Sequence, residues 1–214
     1  MKALIVYAHP EPKSFNGAMK DLAVETLRGR GDEVEVTDAR LRNENPRVGH
    51  RRRAEEARAR RDSHSAVPDL VVWHAGHPEG MGGSSLGARL RLCRRRKYDT
   101  GMLRGKTAMI AATTGTSADT YAPDDIDGDI HTVLWPVHSG LLRYCGFDVI
   151  EPFIAYMPGR VGPEVRQRYL DDYRARLLDI EHAPRLFFHP AQDYGPNERL
   201  KPGVIARSGV QRNV

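Results

Sequence analysis

Two clusters of polar side chains have the residue types and spacing to do chemistry. The first is Thr113-Thr114-Gly115-Thr116, followed by Tyr121, Asp127 and Asp129. Hydroxyls and main-chain amides at that density suit an anion or the edge of a heteroaromatic ring. The Tyr121 phenol and the two carboxylates add groups that give or take a proton. The second is His9, Ser14 and Asn16, just before a helical pattern. Unsatisfied amides and the helix dipole favour an anion such as phosphate at such a point. Each cluster also has a plain reading, a capped turn for one and a loop histidine for the other. No G-x-G-x-x-G stands near either, so neither is the usual dinucleotide fingerprint.

The elements that must position these groups can be read from the flanking sequence. Ala108-Met109-Ile110-Ala111-Ala112 is an apolar run that predicts a buried parallel strand, so the threonine loop falls at the carboxyl end of a strand, where open α/β sheets bind ligands. Lys2 to Ala8 predicts a first buried strand. Ala18-Met19, Leu22-Ala23 and Leu27 recur at helical spacing, with Ser14 or Asn16 as N-cap and Gly29 and Gly31 as the stop. Glu33-Val34-Glu35-Val36-Thr37 alternates as a second strand, which makes a βαβ opening of about 35 residues. A helix from about Ile130 to Cys145 carries Pro136 near its first turn. Gly146 to Tyr156 predicts the last strand and Pro163 to Ile180 the last helix, with a loosely held tail from Gly195.

At 214 residues the chain is long enough for one domain with a real core. No apolar stretch is long enough to span a bilayer, and Met1 to Tyr7 lacks the tripartite shape of a signal peptide. Cys93 and Cys145 form no redox or metal spacing, so a reduced, cytoplasmic protein is expected. The net charge of +5 is unevenly spread: thirteen arginines and six carboxylates between residues 42 and 96 give +7, leaving −2 for the rest. Arg51 to Arg61 has the charge of a solvated helix but no apolar face. No aromatic platform accompanies the arginines, which argues against nucleic acid. His74, His77 and Glu79 imitate a metal set, but without a helix or a third clear ligand no metal is expected.

Taken together, these segments resemble the FAD-dependent NAD(P)H:quinone oxidoreductases of the flavodoxin-like fold. The resemblance rests on Ala8-His9-Pro10-Glu11 with Ser14-Phe15-Asn16, on Thr113-Thr114-Gly115 with Tyr121, Ile126, Gly128 and Asp129, and on Leu134-Trp135-Pro136, Ser139-Gly140 and Tyr144-Cys145-Gly146-Phe147. It covers roughly residues 1 to 46 and 97 to 190. It implies a doubly wound parallel sheet in order 2-1-3-4-5 within a single domain over 1–190, a tail over 191–214, and a homodimer. It also implies FAD, rather than FMN, held by His9, Ser14, Phe15 and Asn16 at the pyrophosphate and ribityl region. Thr113, Thr114, Gly115 and Thr116 would line the flavin edge, with Arg176 near the adenine. The catalytic positions it implies are Tyr121, which helps stabilise charge on the reduced flavin, and Asp127, which stands where the family often has a histidine.

The family's third strand ends in a proline- and tryptophan-rich loop that covers the flavin, and nothing between residues 47 and 96 resembles it. The genetic code offers an explanation. Read one base downstream, the codons for Val67 through Ser84 can spell FPIWWFGMPAILKGWVDR, the missing motif. Several choices are constrained: His74-Ala75 must give A-Y-G, which allows Met, and Met81-Gly82 must give TGG, which is Trp. The expectation is an out-of-frame insert from near 47–60 to about 96, with strand 3 and its following helix absent, displaced or poorly packed. The functional expectation is two-electron hydride transfer from NAD(P)H through FAD to a quinone. The alternatives are a catalytically impaired relative and a flavin-independent regulatory partner of an ion-efflux system.

Overall fold

The computed structural model describes residues 1–9, 11–38, 70–75, 96–207 and 210–211. Strand β1 (Lys2–Tyr7) buries alternate residues Ala3, Ile5 and Tyr7, as period-two patterning requires. Helix α1 (Phe15–Gly29) starts where the Ser14 hydroxyl accepts from the Gly17 amide at 3.2 Å, the N-cap foreseen in the sequence. It buries Met19, Leu22, Ala23 and Leu27, and full burial of such a side chain contributes roughly 1.5–3 kcal/mol for each large one. Gly31 ends the turn at φ +89°, a conformation that favours glycine. Strand β2 (Glu33–Asp38) then pairs parallel to β1.

Strand β4 (Thr107–Thr114) is the centre of the core. Met109 and Ala111 face a cluster with α1 and the last helix, α3 (Pro163–Leu178). Ala108, Ile110 and Ala112 face a second cluster with Leu142, Cys145, Phe147 and Val149. The sheet is therefore covered on both faces. Helix α2 (Ile130–Val137) contains Pro136 and continues as a widened π turn over His138–Arg143. The expected single last strand is two pieces, β5 (Asp148–Val149) and β6 (Phe153–Tyr156), both parallel to β4. The break has a simple cause. Pro152 cannot donate to a ladder, and the Glu151 amide turns away to Pro184 O at 2.8 Å.

With Leu70–Ala75 as β3, the sheet order is β2-β1-β3-β4-β5, as the resemblance implies, with β6 also on β4. One feature departs from an all-parallel sheet. Strand β3 (Leu70–Ala75) fills the third position but runs antiparallel to both neighbours, with Tyr7 opposite Leu70 and Lys2 opposite Ala75. Of the outcomes expected for strand 3, absence does not hold: the third position is filled, in the reverse direction. The Arg51–Arg61 stretch, His77 and Glu79 lie outside the described residues. The tail is held rather than loose as far as Arg207. Gly195 donates to Arg199 O and Lys201 to Asp193 O, each at 2.8 Å, and Lys97 reaches Glu198 at 2.9 Å.

Candidate functional site

The carboxyl ends of β1, β4 and β6 bring three segments together. After β1, His9 Nδ1 accepts from the Glu11 amide at 3.1 Å, which shapes the loop before α1. Tyr7 Oη donates to Glu11 O at 3.0 Å from below. Gly17 is dictated by packing: a Cβ there would lie 1.9 Å from Pro12 O. The Phe15 amide, in the first turn of α1, has no acceptor among the described residues, and such an amide is a ready anion donor. The Phe15 ring packs edge-on against Tyr169 of α3 at 6.4 Å.

Asn16 joins this segment to the second. It is 2% exposed, and its Nδ2 donates to Thr113 Oγ1 at 2.9 Å. Within the threonine loop each hydroxyl has an assignment. Thr114 Oγ1 donates to Thr116 O at 2.8 Å, and Thr116 Oγ1 donates to Asp127 Oδ2 at 2.7 Å. The Asp127 amide donates to Thr120 O at 3.1 Å, folding the loop back on itself. Gly128 takes φ +70°, and Asp129 caps α2 by accepting from the His131 and Thr132 amides at 2.7 and 3.3 Å. Tyr121 is nearly buried, with its ring 5.7 Å from that of Tyr156. Burial raises the Tyr156 phenol above its ordinary range, and Tyr121, Tyr169 and Asp129 add to the effect. Tyr156 is therefore neutral at physiological pH.

The third segment follows β6. Met157 donates to Thr114 O at 3.1 Å and takes φ +47°, a conformation that costs a non-glycine residue about 1 kcal/mol or more. Its carbonyl then accepts from Arg160 at 2.8 Å, so the chain turns sharply into α3.

The structure gathers His9, Ser14, Phe15, Asn16, Thr113, Thr114, Gly115, Thr116, Tyr121 and Asp127 at this end of the sheet. It does not bring Arg176 there. Arg176 is in the last turn of α3, and its Nη1 donates to Glu151 O at 3.3 Å. Arg166, in the first turn of the same helix, lies at the other end, with its Nη1 3.5 Å from Pro158 O. Ten residues, or about 15 Å of helix, separate the two.

Comparison with known proteins follows the same lines. A family described as "Flavodoxin-like fold" matches residues 91–179. The rat NAD(P)H dehydrogenase [quinone] 1 is 31% identical, across 98% of this chain and 88% of its own length. The human ribosyldihydronicotinamide dehydrogenase [quinone] is 32% identical, across 84% of this chain and 91% of its own. A crystal structure of a Klebsiella pneumoniae protein superposes with a TM-score of 0.68 at 22% identity, over 100% of this chain and 98% of that one, which shows the shared fold.

Proposed function

The chain belongs to the NAD(P)H quinone dehydrogenase family of the flavodoxin-like fold, and from that premise we propose that it is a flavin-dependent oxidoreductase. In this reading it takes hydride from NAD(P)H, passes it to a quinone and uses FAD as its cofactor. The observation that carries the reading is the Asn16–Thr113 hydrogen bond, which joins a helix start suited to phosphate with a threonine loop suited to a flavin edge. The hydride chemistry belongs to the bound cofactor. The protein supplies placement and charge. The start of α1, with a Phe15 amide that has no acceptor among the described residues and with the Ser14 cap, suits a pyrophosphate. Thr113 through Thr116 present amides and hydroxyls to the ring edge. Asp127 orients Thr116, and Tyr121 is the phenol that meets charge on the reduced ring. Arg166 replaces Arg176 as the cation at this end.

A homodimer and a cytoplasmic location fit the same reading, and no described helix is long and apolar enough to cross a membrane. The test is the purified protein itself. A yellow protein with FAD absorbance that oxidises NAD(P)H when menadione is supplied supports the proposal. A colourless protein that stays so with added FAD contradicts it.

One observation favours a second reading, a catalytically impaired relative. Because β3 is antiparallel, the chain enters it beside Tyr7 and leaves beside Lys2, at the end of the sheet away from the site. In a doubly wound parallel sheet the exit of the third strand faces the ligand. This agrees with an out-of-frame stretch across residues 47–96. Restoring the downstream frame over Val67–Ser84 and rejoining it before Lys97 should raise menadione turnover about a hundredfold, the scale of a site that regains its geometry. Equal turnover of both chains contradicts the second reading, as does a gene whose codons over 67–84 do not spell the motif.

A further inference from the structure

A cavity of about 290 Å³ lies against α2, with Asp129 at the start of that helix on its rim. One wall is a single helix face, His131, Trp135 and His138 at i, i+4 and i+7. The opposite wall is the segment around Arg185 and Phe187, with Arg207 returning from the tail. Its chemistry is unbalanced in a way that points to a ligand. His138 is 1% exposed, and its Nε2 has no hydrogen-bond partner among the described residues. Burial pushes its pKa down to about 4, so the ring is neutral at physiological pH. Arg185 and Arg207 have no carboxylate partner among the described residues. The Arg207 guanidinium instead lies 4.4 Å over the Phe187 ring.

The two carboxylates of the cavity are already engaged. Asp129 caps α2, and Glu151 Oε1 is 3.1 Å from His131 Nε2. Two guanidiniums therefore face one capped carboxylate and one ion pair. The remaining walls are aromatic: Trp135 and Phe188 pack at 5.6 Å with their planes 33° apart. We propose that this cavity binds a small aromatic carboxylate, with its ring against Trp135 and Phe188 and its carboxylate held by Arg185 and Arg207. The size is at the lower end for ligand pockets, which suits a single ring. Bidentate guanidinium contacts favour a planar carboxylate. The four residues proposed to touch this ligand, Trp135, Phe188, Arg185 and Arg207, are not among those proposed to hold the flavin.

Benzoate is the probe, added to the full-length protein while tryptophan emission is followed, with Trp135→Phe to remove the contribution of the cavity wall from that of Trp73. Saturable quenching by benzoate is expected, with benzamide of the same shape weaker by about tenfold or more because it lacks the charge. The double variant Arg185→Gln/Arg207→Gln should lose the same factor while keeping its circular dichroism spectrum, since both side chains are exposed. Addition of FAD or menadione should leave benzoate bound. The proposal is overturned by equal binding of benzamide, by inorganic phosphate competing as well as benzoate, or by an unchanged double variant. It is also overturned if FAD or menadione displaces benzoate, or if no saturable change appears up to about 50 mM, weaker than a ligand of this size needs to be.

Discussion

Asn16 Nδ2 donates to Thr113 Oγ1 at 2.9 Å across 97 positions of sequence, and this contact fixes the β1 loop against the β4 loop. Both residues carry the polar edge of the proposed flavin site, so stability and binding are coupled there. Replacing Asn16 by Ala leaves the Thr113 hydroxyl without this donor in a half-buried position. The expected loss is about 1–3 kcal/mol of unfolding free energy, read from urea denaturation, together with weaker FAD binding by titration. Unchanged stability with lost binding would assign Asn16 to the ligand alone.

Gly17→Ala tests the close approach of α1 to the loop before it. Its Cβ would lie 1.9 Å from Pro12 O, a backbone atom that has no rotamer to yield. The loop must shift, at a cost of about 1–3 kcal/mol. A lowered melting temperature with reduced flavin retention is expected. A melting temperature equal to the parent's would show that the loop yields freely.

His138 makes a pH prediction. Its folded pKa of about 4 lies below the ordinary value of 6.5 because burial disfavours the charged ring. The unfolded chain therefore binds more protons between those values, and stability falls as pH drops from about 6.5 to about 4. The size is at most about 3 kcal/mol, given 1.36 kcal/mol per pKa unit. His131 works in the opposite sense: its hydrogen bond to Glu151 raises its pKa, so its contribution is full below 6.5 and is lost as pH rises through the folded value. Denaturant titrations of His138→Gln should show a flatter acid limb than the parent. Parallel limbs would contradict the account.

His189 anchors the tail. Its Nδ1 pairs with Asp193 at 2.8 Å, and its Nε2 accepts from the Arg207 amide at 3.1 Å, which places the proton on Nδ1. The ring is 6% exposed and packs edge-on against Phe187 at 5.0 Å. His189→Ala should cost about 2 kcal/mol and speed proteolytic cleavage within residues 195–207. An unchanged cleavage rate would mean that the Gly195–Lys201 turn holds the tail unaided.

Much of this was legible in the sequence because it rests on local rules. The Ser14 cap, the buried faces of β1 and α1, and the threonine loop after an apolar strand follow from periodicity and capping. Other features depend on tertiary context. The direction of β3 is not legible in the sequence, since a short apolar run such as Leu70 to Trp73 does not encode the orientation of its partners. Pro152 breaks the edge strand only because the Glu151 amide has Pro184 to turn to. Arg176 and Arg166 share one helix, and only the placement of the helix start shows that Arg166 is the one nearer the carboxyl end of β6. The tail reads as loose from its Gly, Pro and Arg content, yet His189 and Lys97 tie it from distant positions.

The measurement that bears most directly on the central claim is the FAD titration of the purified full-length chain, followed by anaerobic addition of NADPH or NADH. The account predicts tight binding at about one FAD per chain, bleaching of the flavin band on reduction and its return when menadione is added. Failure to bind FAD, or bound FAD that NADPH and NADH both leave oxidised, would contradict it.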